Sequence, residues 1–136
     1  MLHNYHTHTF RNHHAVGTER EYIEAAIAGV YQTLGFSEHA PYQFPDGIVS
    51  YFHMFPEDLE DYIQTLLALK EEYAGRIEIL IGYEAEYYPR FLTICLPASR
   101  SIRSTICCSG STISVTRSTG SMSTSRRTIP RSSQLM

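Results

Sequence analysis

The stretch Arg-Ile-Glu-Ile-Leu-Ile-Gly-Tyr at residues 76–83 decides the fold, and Glu84 follows it directly. Its apolar, β-branched centre predicts a buried strand that ends in a carboxylate. Two earlier segments have the same form. Residues 2–6 lead into a pair of histidines, and residues 35–39 end in Glu38 and His39. The sequence therefore predicts three strands, each with polar, potentially metal-binding groups at its C-terminal end.

Two amphipathic segments separate these strands. The pattern Thr18-Glu19-Arg20-Glu21 is a capping box, which predicts a helix from about Glu19 to Leu34 with Gly35 at its end. Pro56 and the acidic residues after it predict the start of a second helix, which ends at Gly75. Alternating strands and helices are typical of a parallel sheet covered by helices, so we predict an α/β fold. In α/β barrels, active sites form at the carboxyl ends of the strands.

The amino-acid composition changes abruptly near Arg90. Residues 1–90 contain all 14 acidic residues, all seven His and only five basic residues, for a formal charge of −9. Residues 91–136 contain six Arg, no acidic residue, no His and all three Cys, for a formal charge of +6. A Ser/Thr/Arg-rich segment cannot bury enough apolar surface to fold. The sequence therefore predicts a folded part in residues 1–90 and an unstructured tail in residues 91–136.

Several classes of protein do not fit this composition. Residues 1–90 contain no Cys, so no disulfide framework is expected. The N-terminus is polar and His-rich, without the apolar segment of a signal peptide, and no apolar run is long enough for a transmembrane helix. The acidic first part lacks the basic patch of a nucleic-acid-binding protein. We expect a cytoplasmic protein that binds neither nucleic acid nor membrane.

Candidate metal ligands lie at the predicted strand ends. His6 and His8 are two residues apart and could chelate one ion, although a His-x-His pattern alone is also typical of surface histidines. His14 adds a third imidazole, His39 ends the second strand and Glu84 ends the third. Imidazole and carboxylate suit zinc, manganese or iron, and a carboxylate can bridge two ions. The pattern predicts a divalent-metal centre. The remaining histidines are interpreted as structural or exposed: His3, His13 and His53.

In order and spacing, these motifs resemble the PHP (polymerase and histidinol phosphatase) family, most closely its histidinol-phosphate phosphatases. The motifs are His6-Thr7-His8, His14-Ala15, Ser37-Glu38-His39 and Gly82-Tyr83-Glu84-Ala85-Glu86. The resemblance covers residues 1–90 and implies the N-terminal portion of a distorted (β/α) barrel that holds up to three divalent ions.

The resemblance also implies a role for each motif residue. His6 and His8 would bind one ion, and Glu84 would bridge that ion to a second. His14 and His39 would help to bind a third. Glu38 would orient an imidazole from outside the metal shell. Glu86 is interpreted as a solvated carboxylate or another such orienting group.

The chemistry implied by the resemblance is hydrolysis of a phosphate monoester. No side chain is assigned as catalytic, because a hydroxide held by the ions would attack phosphorus. The substrate would be the small molecule histidinol phosphate, in histidine biosynthesis. Arg11, Asp46 and His53 are candidate phosphate contacts. Two alternatives remain open: another PHP phosphoesterase of the polymerase-associated nuclease type, and a non-catalytic metal-binding fragment.

The later motifs of the family are missing, because no His, Asp or Glu follows Glu86. A whole barrel of this type needs about 250 residues. Cys is encoded only by TGC or TGT. When the third base of the Cys107 codon is read with the first two bases of the Cys108 codon, the shifted codon must therefore encode Leu. The codons that follow permit Gly-Gln-His, which resembles the fourth family motif. We therefore expect a frameshift near residue 91, and a chain that is truncated, inactive as written and prone to self-associate through exposed sheet edges.

Overall fold

The computed structural model describes residues 1–42, 44, 48 and 50–84, together with the backbone of three strands between residues 104 and 130. The elements follow one another as β1 (Leu2–Asn4), a 3-10 turn (Phe10–Asn12), α1 (Glu19–Ala28), β2 (Tyr31–His39), a second 3-10 turn (Pro56–Asp58), α2 (Leu59–Glu72), β3 (Glu78–Glu84), β4 (Ser104–Ser109), β5 (Thr112–Ser118) and β6 (Thr124–Pro130).

The strands form one six-stranded sheet in the order β1-β2-β3-β4-β5-β6. Strands β1 to β4 pair in parallel, whereas β4, β5 and β6 pair antiparallel. Strands β2 and β3 keep a continuous register from Thr33↔Glu78 to His39↔Glu84, so their last residues lie side by side. The predicted α/β fold with a parallel sheet is thereby confirmed. Closure into a barrel stays a prediction, since β1 and β6 stand at the two ends of this sheet.

Helix α1 begins where the sequence predicts but ends earlier. The hydroxyl of Thr18 accepts from the Glu21 backbone N–H, and the Glu21 carboxylate accepts from the Thr18 N–H, which is the predicted capping box. The predicted end at Leu34 is wrong: Gly29 caps the helix, and Val30 has a φ of 60°, in the left-handed region. A left-handed residue interrupts a right-handed helix, and the β-branched and aromatic residues that follow favour a strand. Leu34 is buried as part of β2 instead.

Helix α2 covers the sheet with its predicted apolar face. It starts after the turn at Pro56 and ends at Glu72, and Gly75 then takes a φ of 82° that suits glycine. The core joins both helices to the two central strands through Ile23, Ala26, Phe36, Tyr62, Leu66, Ile79 and Ile81. Within the described part of the chain, no helix is long and apolar enough to cross a membrane.

Strands β4, β5 and β6 lie in the segment that the sequence analysis predicts to be unstructured. For these residues the structure differs from that expectation. The reason lies in local composition: Thr, Ile and Val recur in β4 and β5, and β-branched residues favour strands even where few apolar residues are available. The division of the chain at residue 90 stays a prediction.

Candidate metal centre

Three strand ends bring the predicted ligands to one edge of the sheet. His39 and Glu84 are paired partners at the ends of β2 and β3. The segment after β1 continues along β2, because the Ser37 N–H donates to the Thr7 carbonyl at 3.0 Å. His6 and His8 flank Thr7 in the sequence, and this contact therefore holds both imidazoles beside the same edge.

His6, His8 and Glu84 form the first cluster of potential ligand atoms. The Nε2 atoms of His6 and His8 are 2.8 Å apart, and Glu84 Oε2 lies 3.0 Å from the first and 3.2 Å from the second. Hydrogen bonds from His6 and His8 hold the pKa of Glu84 well below its usual range. Donor atoms around a tetrahedral zinc, at about 2.0–2.1 Å from the metal, lie roughly 3.3 Å from one another. A shift of a few tenths of an ångström would therefore suffice for this donor set to fit such an ion.

His8, His14 and His39 form the second cluster. The His8 ring centroid lies 4.7 Å from that of His39 and 5.2 Å from that of His14, and one ring nitrogen from each residue falls within 4.8 Å of the others. Burial, and then the charges of His8 and His39, lower the pKa of His14. His39 Nδ1 is also 3.7 Å from Glu84 Oε2. The second cluster thus adjoins the first and shares His8 with it.

Glu38 is fully buried beside His8, the residue that the two clusters share. Its Oε1 accepts from the backbone N–H of Thr9 at 2.7 Å and from the Thr9 hydroxyl at 2.6 Å. Its Oε2 lies 3.7 Å from His8 Nδ1. Burial lowers the pKa of His8, but the carboxylates of Glu38 and Glu84 outweigh it and raise the pKa to about 9. Glu38 is therefore placed to act on the orientation and charge of His8.

The structure adds Asn12 to the surroundings of His8 and pairs Arg11 with two carboxylates of the chain. Asn12 is fully buried, and its Nδ2 lies 2.8 Å from His8 Nδ1. The guanidinium of Arg11 is also buried and pairs with the carboxylates of Glu19 and Asp61. Burial lowers the pKa of Arg11, but hydrogen bonds to those two carboxylates raise it overall. Because the guanidinium is buried and already pairs with two carboxylates of this chain, the structure does not support Arg11 as a phosphate contact.

The other histidines lie outside the two clusters. His13 is exposed and its ring lies 4.5 Å from that of Phe55, and His3 is also exposed. His53 is buried among aromatic rings, with its ring centroid 5.6 Å from that of His39 and its Nδ1 2.6 Å from the Ser50 hydroxyl. The predictions for Asp46 and Glu86 fall on residues outside the described part of the chain.

The sheet and its edge define a class of α/β protein that gathers imidazole and carboxylate groups at the carboxyl ends of parallel strands. The PHP domain matches residues 4–126, which is most of the sequence, and the chain belongs to the PHP domain family. This match continues past residue 90, into the segment that the sequence analysis separates as a tail. No solved structure gives a significant match.

Curated relatives carry the name of one activity. The chain is 37% identical over 84 residues to a probable histidinol-phosphatase of Deinococcus radiodurans, covering 62% of this chain and 32% of that protein. It is 36% identical over 90 residues to the histidinol-phosphatase of Bacillus subtilis, covering 63% and 34%. A probable histidinol-phosphatase of Schizosaccharomyces pombe is 37% identical over 79 residues, covering 54% and 26%. The matches thus span about a third or less of each relative.

Proposed function

We propose that this chain is, by family, a metal-dependent phosphate monoester hydrolase of the histidinol-phosphatase type. It would be built on a PHP-type (β/α) barrel and act in the cytoplasm. The observation that carries the proposal is the convergence of five side chains at one sheet edge in a member of the PHP family: His6, His8, His14, His39 and Glu84. The shared name of the three relatives supports histidinol phosphate as the substrate and favours it over a nucleic acid.

The donor set assigns a task to each residue. His6, His8 and Glu84 would hold one divalent ion, because their ligand atoms already lie 2.8–3.2 Å apart. His14 and His39 would help to hold another. Nitrogen and oxygen donors of this kind suit zinc, manganese or iron. Ions bound there would neutralise the phosphoryl oxygens and supply a nucleophile from water at neutral pH.

The chain's own residues prepare the site for such ions. Glu84 keeps a negative charge through its contacts with His6 and His8, so it would remain a ligand even in mildly acidic solution. Glu38, fixed by its two hydrogen bonds from Thr9, would orient His8. No side chain is assigned as the nucleophile.

A second candidate function is metal binding without catalysis. It is favoured by one feature of the sequence: no His, Asp or Glu follows Glu86, so residues 91–136 contribute no imidazole or carboxylate side chain to any ion. Incomplete ligand shells would weaken binding and position a nucleophile poorly. We propose that a frameshift near residue 91 accounts for this loss. Sequencing the gene across codons 85–136 tests the proposal, and a single-base insertion or deletion is the expected finding.

The two functions are separated by measuring metal binding and hydrolysis on the same full-length chain. The chain is stripped with a chelator, reloaded with zinc or manganese, and incubated with histidinol phosphate while phosphate release is followed. Metal-dependent release that disappears in Glu84→Gln supports the phosphatase. Bound metal without release above the Glu84→Gln background leaves metal binding alone. Absence of both contradicts the proposed metal centre.

A further inference from the structure

Asn12 is a buried polar residue that lies outside the family motifs and contacts the candidate ligand His8. It ends the 3-10 turn Phe10–Asn12, is fully buried, and places its amide 2.8 Å from His8 Nδ1. Among the residues the structure describes, its Oδ1 has no hydrogen-bond partner. A buried acceptor without a partner is costly, so this amide is expected to have a specific function.

The turn that carries Asn12 is fixed on both sides. Thr9 caps it, and the hydroxyl and backbone N–H of Thr9 both bond to Glu38. Arg11 anchors it to both helices, through Glu19 at the start of α1 and Asp61 in α2, at 2.8 Å for the second contact. Asn12 therefore contacts His8 from a turn that these bonds hold in place. The orientation of its amide can change chiefly by rotation about its own side-chain bond.

The opposite side of the His8 ring determines which orientation of the amide is useful. His8 Nε2 faces the His6 Nε2 at 2.8 Å and Glu84 Oε2 at 3.2 Å. An imidazole that gives its Nε2 lone pair to an ion keeps its proton on Nδ1. A half-turn of the Asn12 amide would place Oδ1 where Nδ2 lies, so that Oδ1 accepts the hydrogen bond from Nδ1–H.

Glu38 favours the same arrangement. Its Oε2 lies 3.7 Å from His8 Nδ1 and has no hydrogen bond within the described part of the chain. The negative charge of Glu38 would stabilise a proton on Nδ1, and it would not stabilise a lone pair there. With Oδ1 turned toward the ring, the oxygen gains His8 Nδ1–H as its partner, and Nδ2 takes the position that Oδ1 leaves.

We propose that Asn12 is a positioning residue: its carboxamide oxygen accepts from His8 Nδ1–H and so directs the His8 Nε2 lone pair toward the ion shared with His6 and Glu84. This inference rests on the proposed metal centre. A purely structural Asn12 would only fill buried space, and it would not matter whether the group at this position donates or accepts.

Two substitutions distinguish these roles in the full-length chain. Asn12→Asp keeps an acceptor and removes the donor, whereas Asn12→Leu removes both and keeps the branched shape of the side chain. Zinc affinity is measured by competition with a chelator. The exposed Gln64→Glu variant controls for an added negative charge on the molecule. We expect Asn12→Asp to bind zinc as tightly as the wild type or more tightly, and Asn12→Leu to lose about 10–100-fold, as is usual when an outer partner of a ligand is removed.

A second readout reports the position of the proton directly. Nitrogen-15 spectra of the zinc-loaded wild type should show His8, identified as the signal lost in His8→Gln, with its proton on Nδ1. Equal losses in Asn12→Asp and Asn12→Leu, no loss in either, or a proton on Nε2 would overturn the inference. If Asn12→Leu fails to fold, Asn12→Asp and the wild-type spectrum still decide. A wild type that binds no zinc contradicts the metal centre itself. Zinc binding that neither Asn12 substitution changes contradicts only the role of Asn12.

Discussion

Two regions of one sheet differ in the direction of their strands, in the connections between the strands and in the residues at the strand ends. The site region, residues 1–84, has parallel strands joined through α1 and α2, and its strand ends carry His39, Glu84 and the histidines after β1. The tail strands, β4 to β6, pair antiparallel, and only two residues separate Ser109 from Thr112. Parallel pairing requires long crossovers, whereas antiparallel pairing does not.

The difference shows that a sheet does not by itself make a site. In the site region, parallel strands end at one edge, so polar residues distant in sequence meet there. In residues 91–136 the sequence contains no Asp, Glu or His, so no strand there can end in the same chemistry. The function of this chain is therefore expected to depend on the site region, and each prediction below tests that dependence.

The largest expected effect is the loss of stability when an ion pair in the site region is broken. Residues 91–136 contain six Arg and no acidic residue, so no such pair can form between two side chains of the tail. Arg11 and Glu19 pair with side-chain exposures of 7% and 4%. Removal of one partner of a buried pair costs about 3 kcal/mol when the other charge is left uncompensated. Arg11 keeps the exposed carboxylate of Asp61 at 2.8 Å, so we expect Glu19→Gln to lower the free energy of unfolding in urea by up to that amount.

The matched control for that pair is the exposed pair of Arg20 and Glu72, with side-chain exposures of 52% and 51%. Exposed pairs contribute only about 0.2–1 kcal/mol, so Glu72→Gln should destabilise far less than Glu19→Gln. Equal effects of the two substitutions would mean that burial of the Arg11 pair does not stabilise the site region.

The next effect concerns metal affinity. His8 belongs to both ligand clusters, so His8→Ala should weaken zinc binding by at least about 100-fold, more than the loss of an outer partner. His13→Ala is the control, because His13 is exposed and belongs to neither cluster. Chelator competition measures both. A His13 effect as large as the His8 effect would place the metal elsewhere.

Zinc binding should also depend on pH. The pKa of His8 is raised to about 9, and a ring nitrogen must release its proton before it binds a cation. Below that pKa, zinc affinity should therefore rise with pH, by up to about tenfold per unit for one displaced proton. The His8→Ala variant should show a flatter profile over the same range. A wild-type profile that falls from pH 6 to 8 would contradict this account.

A smaller effect is expected at the start of α1, the helix that makes the parallel β1–β2 crossover. Thr18→Ala removes the capping hydroxyl and should cost about 1 kcal/mol of stability. Thr18→Ser keeps the hydroxyl and should retain most of that stability. Urea unfolding of the two variants side by side measures the difference, and an equal loss in both would show that the cap is not the cause.

The smallest expected effect is on metal affinity after damage to the tail strands. Val115 lies in the middle strand of the antiparallel part and pairs with Ile106 on one side and Arg127 on the other. Proline there removes a ladder donor and is poorly tolerated in a central strand. We expect Val115→Pro to change zinc affinity less than about twofold, within the few tenths of a kcal/mol usual for independent sites. A tenfold loss would show that the site region depends on β4 to β6.

The sequence predicted the parts of the fold that rest on local or periodic signals. The capping box at Thr18 located the start of α1, and the strand before Glu84 was located to within two residues at its start and one at its end. The end of α1 was predicted wrongly, because residues 30–34 continue a helical apolar spacing while Gly29 and Val30 redirect the backbone. Local backbone geometry prevailed over periodicity there.

The site was predictable only in part, for a related reason. His6, His8 and Glu84 stand at strand ends, and the parallel order of the strands was enough to bring them together. The contacts of Arg11 and Asn12 depend on a short turn whose partners lie up to 54 residues away in sequence. No periodic pattern encodes such contacts, so they emerge only from the folded arrangement.

The most direct test of a metal centre in the site region is X-ray absorption of the zinc-loaded full-length chain. All seven His lie in residues 1–84 and all three Cys lie in residues 91–136, so the ligand atoms themselves identify the region that binds. We predict nitrogen and oxygen ligands at about 2.0–2.1 Å, with the signature of imidazole and no sulfur. Sulfur ligands at about 2.3 Å would place zinc on the cysteines and would contradict the assignment of His6, His8, His14, His39 and Glu84 as the metal centre.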